Sequence, residues 1–209
     1  MPQERELSTI DSVEHLRAII GEPREQTRYK LHPRLNARAT AFIARSPMFL
    51  LATVDAQGQP TVSPKGDGPG FVRVPDANTL LIPERKGNKL VFSLQNILRN
   101  PRVGLIFLVP GTDETLRVSG EAMLSDDAEL CASLTERGQS ALLVMRVRVS
   151  EAYFHCAKAF LRSQLWRPES WPEKLRISFG EEIAEEGGIR GTDIETFDAA
   201  VKQRYVTDL

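Results

Sequence analysis

The chain has 209 residues, enough for one domain with appended segments, and its 41% hydrophobic content supports a full core. With 27 basic against 28 acidic residues the formal net charge is −1, so no global field recruits nucleic acid or an anionic membrane, and any polyanion site must be local. Two cysteines, Cys131 and Cys156, lack a CxxC pair or a metal-like spacing to His15, His32 and His155, which argues against a zinc site and a disulfide scaffold. No apolar run is long enough to span a bilayer, and the start MPQERELSTIDS is charged rather than signal-like, so the expectation is a reduced, cytoplasmic protein.

In chain order, Ser12 is placed to cap a short helix to residue 20, with Val13, Leu16, Ile19 and Ile20 on one side and Gly21 and Pro23 stopping it. Residues 34–45 again favour helix through the stripe Leu35, Ala39, Phe42 and Ile43, broken at Ser46-Pro47. The texture then changes to short strands at 49–54, 61–63, 71–74, 79–82, 103–109, 115–119 and 142–149, divided by turns. Among them, Asn88 is expected to cap a helix over 89–100 that ends before Pro101. Leu90, Val91, Leu94, Ile97 and Leu98 would face the core, leaving Lys89, Ser93, Asn96 and Asn100 as a polar stripe with a single charge. Short hydrogen-bonding groups beside one Lys near a helix start suit a bound anion; an ordinary solvent face is the competing reading.

Late in the strand run, Val144, Arg146 and Arg148 alternate with Met145, Val147 and Val149, as in a half-exposed strand. AYFHCAKAFLRSQLW then reads as helix through Phe154, Ala157, Leu161 and Leu165, with His155 and Cys156 near its start, and a last helix is expected over 193–204. Without alternating βαβ units, this order predicts a mainly β (α+β) antiparallel barrel or sandwich with flanking helices.

Chemistry-bearing motifs are few. SPKGDGPGF is neither GxGxxG nor a P-loop, but Lys65 beside glycine at a strand end leaves backbone N–H groups open to a planar ring or a phosphate. ERKGNK adds Arg85, Lys86 and Lys89 around a further glycine. No GxSxG elbow, HExxH helix or catalytic cysteine signature is present, so any chemistry falls to a cofactor, and no catalytic residue or metal ligand is assigned.

Taken together, FIARSPMFL, SPKGDGPGFVRV, LIPERKGN, SLQNILRNPRVGLIFLVPG, ETLRVSGEA and FHCAKAFLRSQLW resemble the pyridoxamine 5′-phosphate oxidase-related, FMN-binding split-barrel superfamily, in its branch of FMN-dependent enzymes of unassigned substrate. The resemblance covers about residues 42–166. It implies a six-stranded antiparallel split β-barrel, a homodimer and FMN sites at the subunit interface. On that basis residues 1–36 form an N-terminal helical arm, 37–152 the FMN-binding barrel, and 153–209 a C-terminal helical segment packed on the barrel and the dimer interface.

Position by position, the resemblance places Ser63, Lys65 and Gly66 along the flavin and Ile82 on the strand facing its ring. Lys89 and Ser93 fall at the phosphate, with Asn88 and Asn96 beside them. Lys158, Arg162 and Trp166 match the segment that reaches the other subunit's flavin. The implied function is hydride transfer between FMN N5 and a small-molecule substrate. The chain lacks the C-terminal RRLxP-type signature of the pyridoxamine phosphate oxidases themselves. The alternative is a non-catalytic flavin or haem carrier on the same barrel, with His155 as the haem-ligand candidate.

Overall fold

The computed structural model describes residues 7–188 and 192–208. Seven strands form one sheet in the order β2-β1-β5-β6-β7-β4-β3. They are β1 (Met48–Val54), β2 (Pro60–Gly66), β3 (Arg73–Asp76), β4 (Thr79–Glu84), β5 (Arg102–Leu108), β6 (Thr115–Ser125) and β7 (Leu143–His155). Every pairing is antiparallel. The turn chemistry is visible at the first hairpin, where the Asp55 carboxylate accepts from the Gln57 and Gln59 amides at 2.8 and 2.9 Å. The fold is the expected antiparallel barrel type, with seven strands rather than six because the short β3 adds to the edge of β4.

The core lies between the curled halves of the sheet. Phe49, Leu51, Leu105, Phe107, Leu116 and Val118 are fully buried, and the Phe49 ring lies 5.1 Å from Phe107 and 5.8 Å from Phe71. Helix α2 (Ala37–Ile43), capped by Asn36 accepting from the Ala39 amide at 2.9 Å, adds Ala39 and Ile43 to this core. It is shorter than the expected 34–45. Helix α1 (Val13–Ile20) is capped by Ser12 as expected but buries none of its residues. A smaller apolar cluster joins Cys131 and Leu134, from and beside α4 (Ala128–Ser133), to Ala141 and Val144.

Three local expectations are corrected. Helix α3 spans Phe92–Arg99, because Lys89 and Val91 adopt left-handed backbone (φ 63° and 50°) and Asn88 instead accepts from the Leu90 amide at 3.0 Å in a turn. Its orientation also differs: Leu90, Val91 and Leu98 are exposed, while Ser93 and Asn96 are buried with Leu94 and Ile97. Burying Asn96 is tolerable because its amide donates to the Thr53 and Thr61 hydroxyls at 3.1 and 3.2 Å.

The third correction concerns residues 152–155, which continue β7 rather than starting a helix. A bulge displaces the pairing there: Val149 faces Gly120 and Glu151 faces Ser119, leaving Ser150 extra. A Cβ on Gly120 would collide with the Arg148 carbonyl, so glycine is required opposite the bulge. Helix α5 then covers only Lys158–Ser163. In the tail, α6 (Phe179–Gly187) packs on α7 (Thr192–Thr207), the latter longer than the expected 193–204. Among the described residues no helix is long and apolar enough to cross a membrane.

Candidate functional site

A cavity of about 920 Å³ opens between β2, the end of β4, the connection from Arg85 to Val91 and the start of α3. Alternation along β2 turns Ser63 and Lys65 to the same side, and both line the cavity with Gly66. At Gly66 the backbone passes so close to β1 that a Cβ would sit 3.1 Å from the Pro47 carbonyl oxygen. The α3 side contributes Ser93, whose hydroxyl lies 2.7 Å from that of Ser63, one hydroxyl donating to the other.

Two ion pairs set the electrostatics. Lys65 Nζ donates to both Glu84 carboxylate oxygens at 2.7 Å, with each side chain 20% exposed. Arg85 binds Asp67 at 2.9 Å and also donates to the Leu134 and Gln139 carbonyls, which anchors the loop root. Lys86 and Lys89 line the same cavity, are exposed, and form no ion pair with another described residue. Against these two cations the lining carries one further carboxylate without an ion pair, Asp208, so the uncompensated charge is net positive. Leu90, Val91 and Phe92 give the rim an exposed apolar side.

Of the expected site residues, Ser63, Lys65, Gly66, Asn88, Lys89 and Ser93 meet at this cavity. Ile82 does not line it: it is 1% exposed within the core. Asn96 lies behind the site, tying α3 to β1 and β2 through Thr53 and Thr61. Lys158, Arg162 and Trp166 do not line the cavity of their own chain. Trp166 stacks on Phe160 at 5.6 Å and donates its indole N–H to the Thr112 carbonyl at 2.9 Å, and Arg162 donates to the Lys158 carbonyl.

Sequence reasoning missed Glu84. The signal was present, since the strand alternation that buries Ile82 brings Glu84 to the same face one pleat on, where β4 runs out of core. Asp208, just past α7, also lines the cavity and had no local signal.

The family model described as pyridoxamine 5′-phosphate oxidase matches residues 35–156, more than half of the chain. The chain belongs to the pyridoxamine 5′-phosphate oxidase family. The matched stretch contains all seven strands of the sheet and ends one residue past β7. No curated protein matches. Among solved structures, HupZ from Group A Streptococcus is similar at 20% identity, over 56% of this chain and 91% of that one, with a TM-score of 0.47. A protein provisionally assigned as a pyridoxamine 5′-phosphate oxidase from Lactobacillus delbrueckii is 26% identical over 58% of this chain and 95% of that one, with a TM-score of 0.44. An FMN-binding protein from Syntrophomonas wolfei is 12% identical over 57% and 84% of the two chains, with a TM-score of 0.43.

Proposed function

We propose that this protein is an FMN-dependent oxidoreductase that passes a hydride between FMN N5 and a small-molecule substrate. The observation that carries the reading is the cavity itself. In a family of flavin-associated proteins, it joins two facing serine hydroxyls, the side-chain-free Gly66 of β2 and two unpaired lysines. The donor set fits a phosphorylated flavin. Lys86 and Lys89 supply cationic donors for a phosphate, Ser63 and Ser93 supply hydroxyls, and the volume lies in the range of ligand sites.

When bound, FMN supplies the hydride chemistry. The chain's own work is binding and orientation. Ser63 and Gly66 present one wall of the cavity, and Glu84 holds the Lys65 ammonium in place at the floor of β2. The apolar rim at Leu90, Val91 and Phe92 limits water at the mouth once it is covered.

The cover is a second copy in a homodimer, with Lys158, Arg162 and Trp166 of one chain meeting the cavity of the other. This is supported by their absence from the lining of their own cavity and by the exposed rim. The free cysteines Cys131 and Cys156 suit a cytoplasmic setting. The test is the visible spectrum of the purified protein before and after reduction. Flavin bands that bleach are the expected result; a colourless protein that takes up no added FMN would overturn the reading, and a haem band would favour a haem carrier.

A further inference from the structure

The cavity between β2, β4 and the start of α3 is lined by four cationic side chains, and they are not equivalent. Lys65 in β2 and Arg85 just past β4 each face a carboxylate. Lys65 Nζ donates to both oxygens of Glu84 at 2.7 Å, and Arg85 Nε donates to Asp67 at 2.9 Å. Both pairs are mostly withdrawn from water, with side chains 20% exposed in the first and 23% and 10% exposed in the second. Lys86 and Lys89 differ on both counts: they are exposed, and neither forms an ion pair with another described residue.

Charge is therefore graded along the cavity. Glu84 cancels most of the field of the ammonium beside it, and it occupies two of the three N–H donors that an anion would need. An oxyanion approaching Lys65 would also meet the Glu84 oxygens at like charge. The mouth carries only Asp208 against two ammonium groups. Chain position explains the contrast. Glu84 is the last residue of β4, beside Leu143 of β7, and reaches across the open side of the sheet to Lys65, which stands beside Phe49 of β1. Lys86 and Lys89 follow after the strand has ended, on the connection to α3.

We propose that Glu84 is a specificity-determining residue: by neutralising Lys65 it confines anion binding to Lys86 and Lys89 at the mouth, and so fixes which way round a ligand lies. This builds on the flavin reading of the same cavity and adds the class of ligand. The ligand that fits carries a single anionic group, a phosphate monoester, at one end and an uncharged end whose hydrogen-bonding groups meet the Lys65–Glu84 pair. A molecule with anionic groups at both ends is rejected, because its inner charge has to displace Glu84 from Lys65 or lie unpaired beside the Glu84 carboxylate.

The test is an NMR titration of the intact protein with inorganic phosphate at constant ionic strength, following the lysine Cε–H signals of Lys65, Lys86 and Lys89, assigned by substitution. In the parent, phosphate is expected to move the Lys86 and Lys89 signals saturably and to leave Lys65 in place. Lys86→Gln with Lys89→Gln should weaken phosphate binding about tenfold or more, as the loss of charge-assisted hydrogen bonds does. Adding Glu84→Gln should restore most of that affinity, now with the Lys65 signals moving, and adding Lys65→Met as well should remove it again. Lys65 signals that move with the other two in the parent would overturn the role of Glu84, and this measurement holds even if Glu84→Gln does not fold. A folded Glu84→Gln protein whose Lys65 signals ignore phosphate would overturn it too. Phosphate that moves neither Lys86 nor Lys89 in the parent, yet reaches Lys65 in Glu84→Gln, would remove the flavin phosphate reading and uphold the role of Glu84.

Discussion

Lys65 and Glu84 meet at the cavity floor with Nζ 2.7 Å from both carboxylate oxygens, joining β2 to β4 across a gap that no backbone pairing closes. Removing one member of such a mostly buried pair strands the other charge, at a cost of about 1–3 kcal/mol. Glu84→Gln is therefore expected to lower stability by that amount in urea unfolding. The double variant Lys65→Met, Glu84→Gln should recover most of the loss. A Glu84→Gln protein as stable as the parent would show that the pair contributes nothing net.

Lys89 tests the phosphate reading. Its ammonium is exposed and unpaired at the cavity mouth, so in Lys89→Ala FMN binding should weaken about ten- to hundredfold, the value of a charge-assisted hydrogen bond. Riboflavin, which lacks the phosphate, should bind the variant and the parent alike. Equal weakening of both ligands would mean a packing defect rather than a lost phosphate contact.

Val91 sits at φ 50°, a conformation that β-branched side chains rarely adopt, yet 46% of it is exposed and little packing depends on it. Val91→Asn, which tolerates the left-handed region, should raise stability by about 1 kcal/mol by relieving strain. Denaturant midpoints check this. A loss of stability would mean that the valine side chain holds the α3 entry in place.

Asp198 carries a pH prediction for the tail. The Gly180 amide, donating at 2.9 Å, and then the Ser178 hydroxyl hold its carboxyl below the usual aspartate range, with Arg176 3.7 Å away. A depressed acid stabilises the folded form fully above its ordinary pKa and loses that contribution as pH falls through the depressed value. The Gly180 amide resonance should therefore shift in a step below the normal aspartate range, and Asp198→Asn should abolish the step. A step at the ordinary range would remove the argument.

Much of the sheet was legible because its burial is one-sided: Met145, Val147 and Val149 alternate with exposed Arg146 and Arg148, and the pattern names the strand. Past Ser150 the parity changes, and Ala152 and Phe154 face inward instead. One extra residue therefore made the end of a strand read as the start of a helix. The α3 entry failed for another reason. Asn88 and Lys89 look like a cap and first turn, but two left-handed residues cannot be read from side-chain pattern, and the partners that make Asn96 a good interior residue lie 43 and 35 positions away. Ser63, Lys65, Gly66, Lys89 and Ser93 were legible as a group, whereas the pairing of Lys65 with Glu84 is purely tertiary.

The two strands at the ends of the sheet both contain proline: Pro60 and Pro64 in β2 and Pro75 in β3. A proline has no N–H to offer, so neither border presents an unbroken row of donors to a strand from another molecule. These borders resist runaway edge-to-edge growth into fibrils. They also favour a union of two copies made through side chains meeting face to face over one that extends the sheet from one chain into the next.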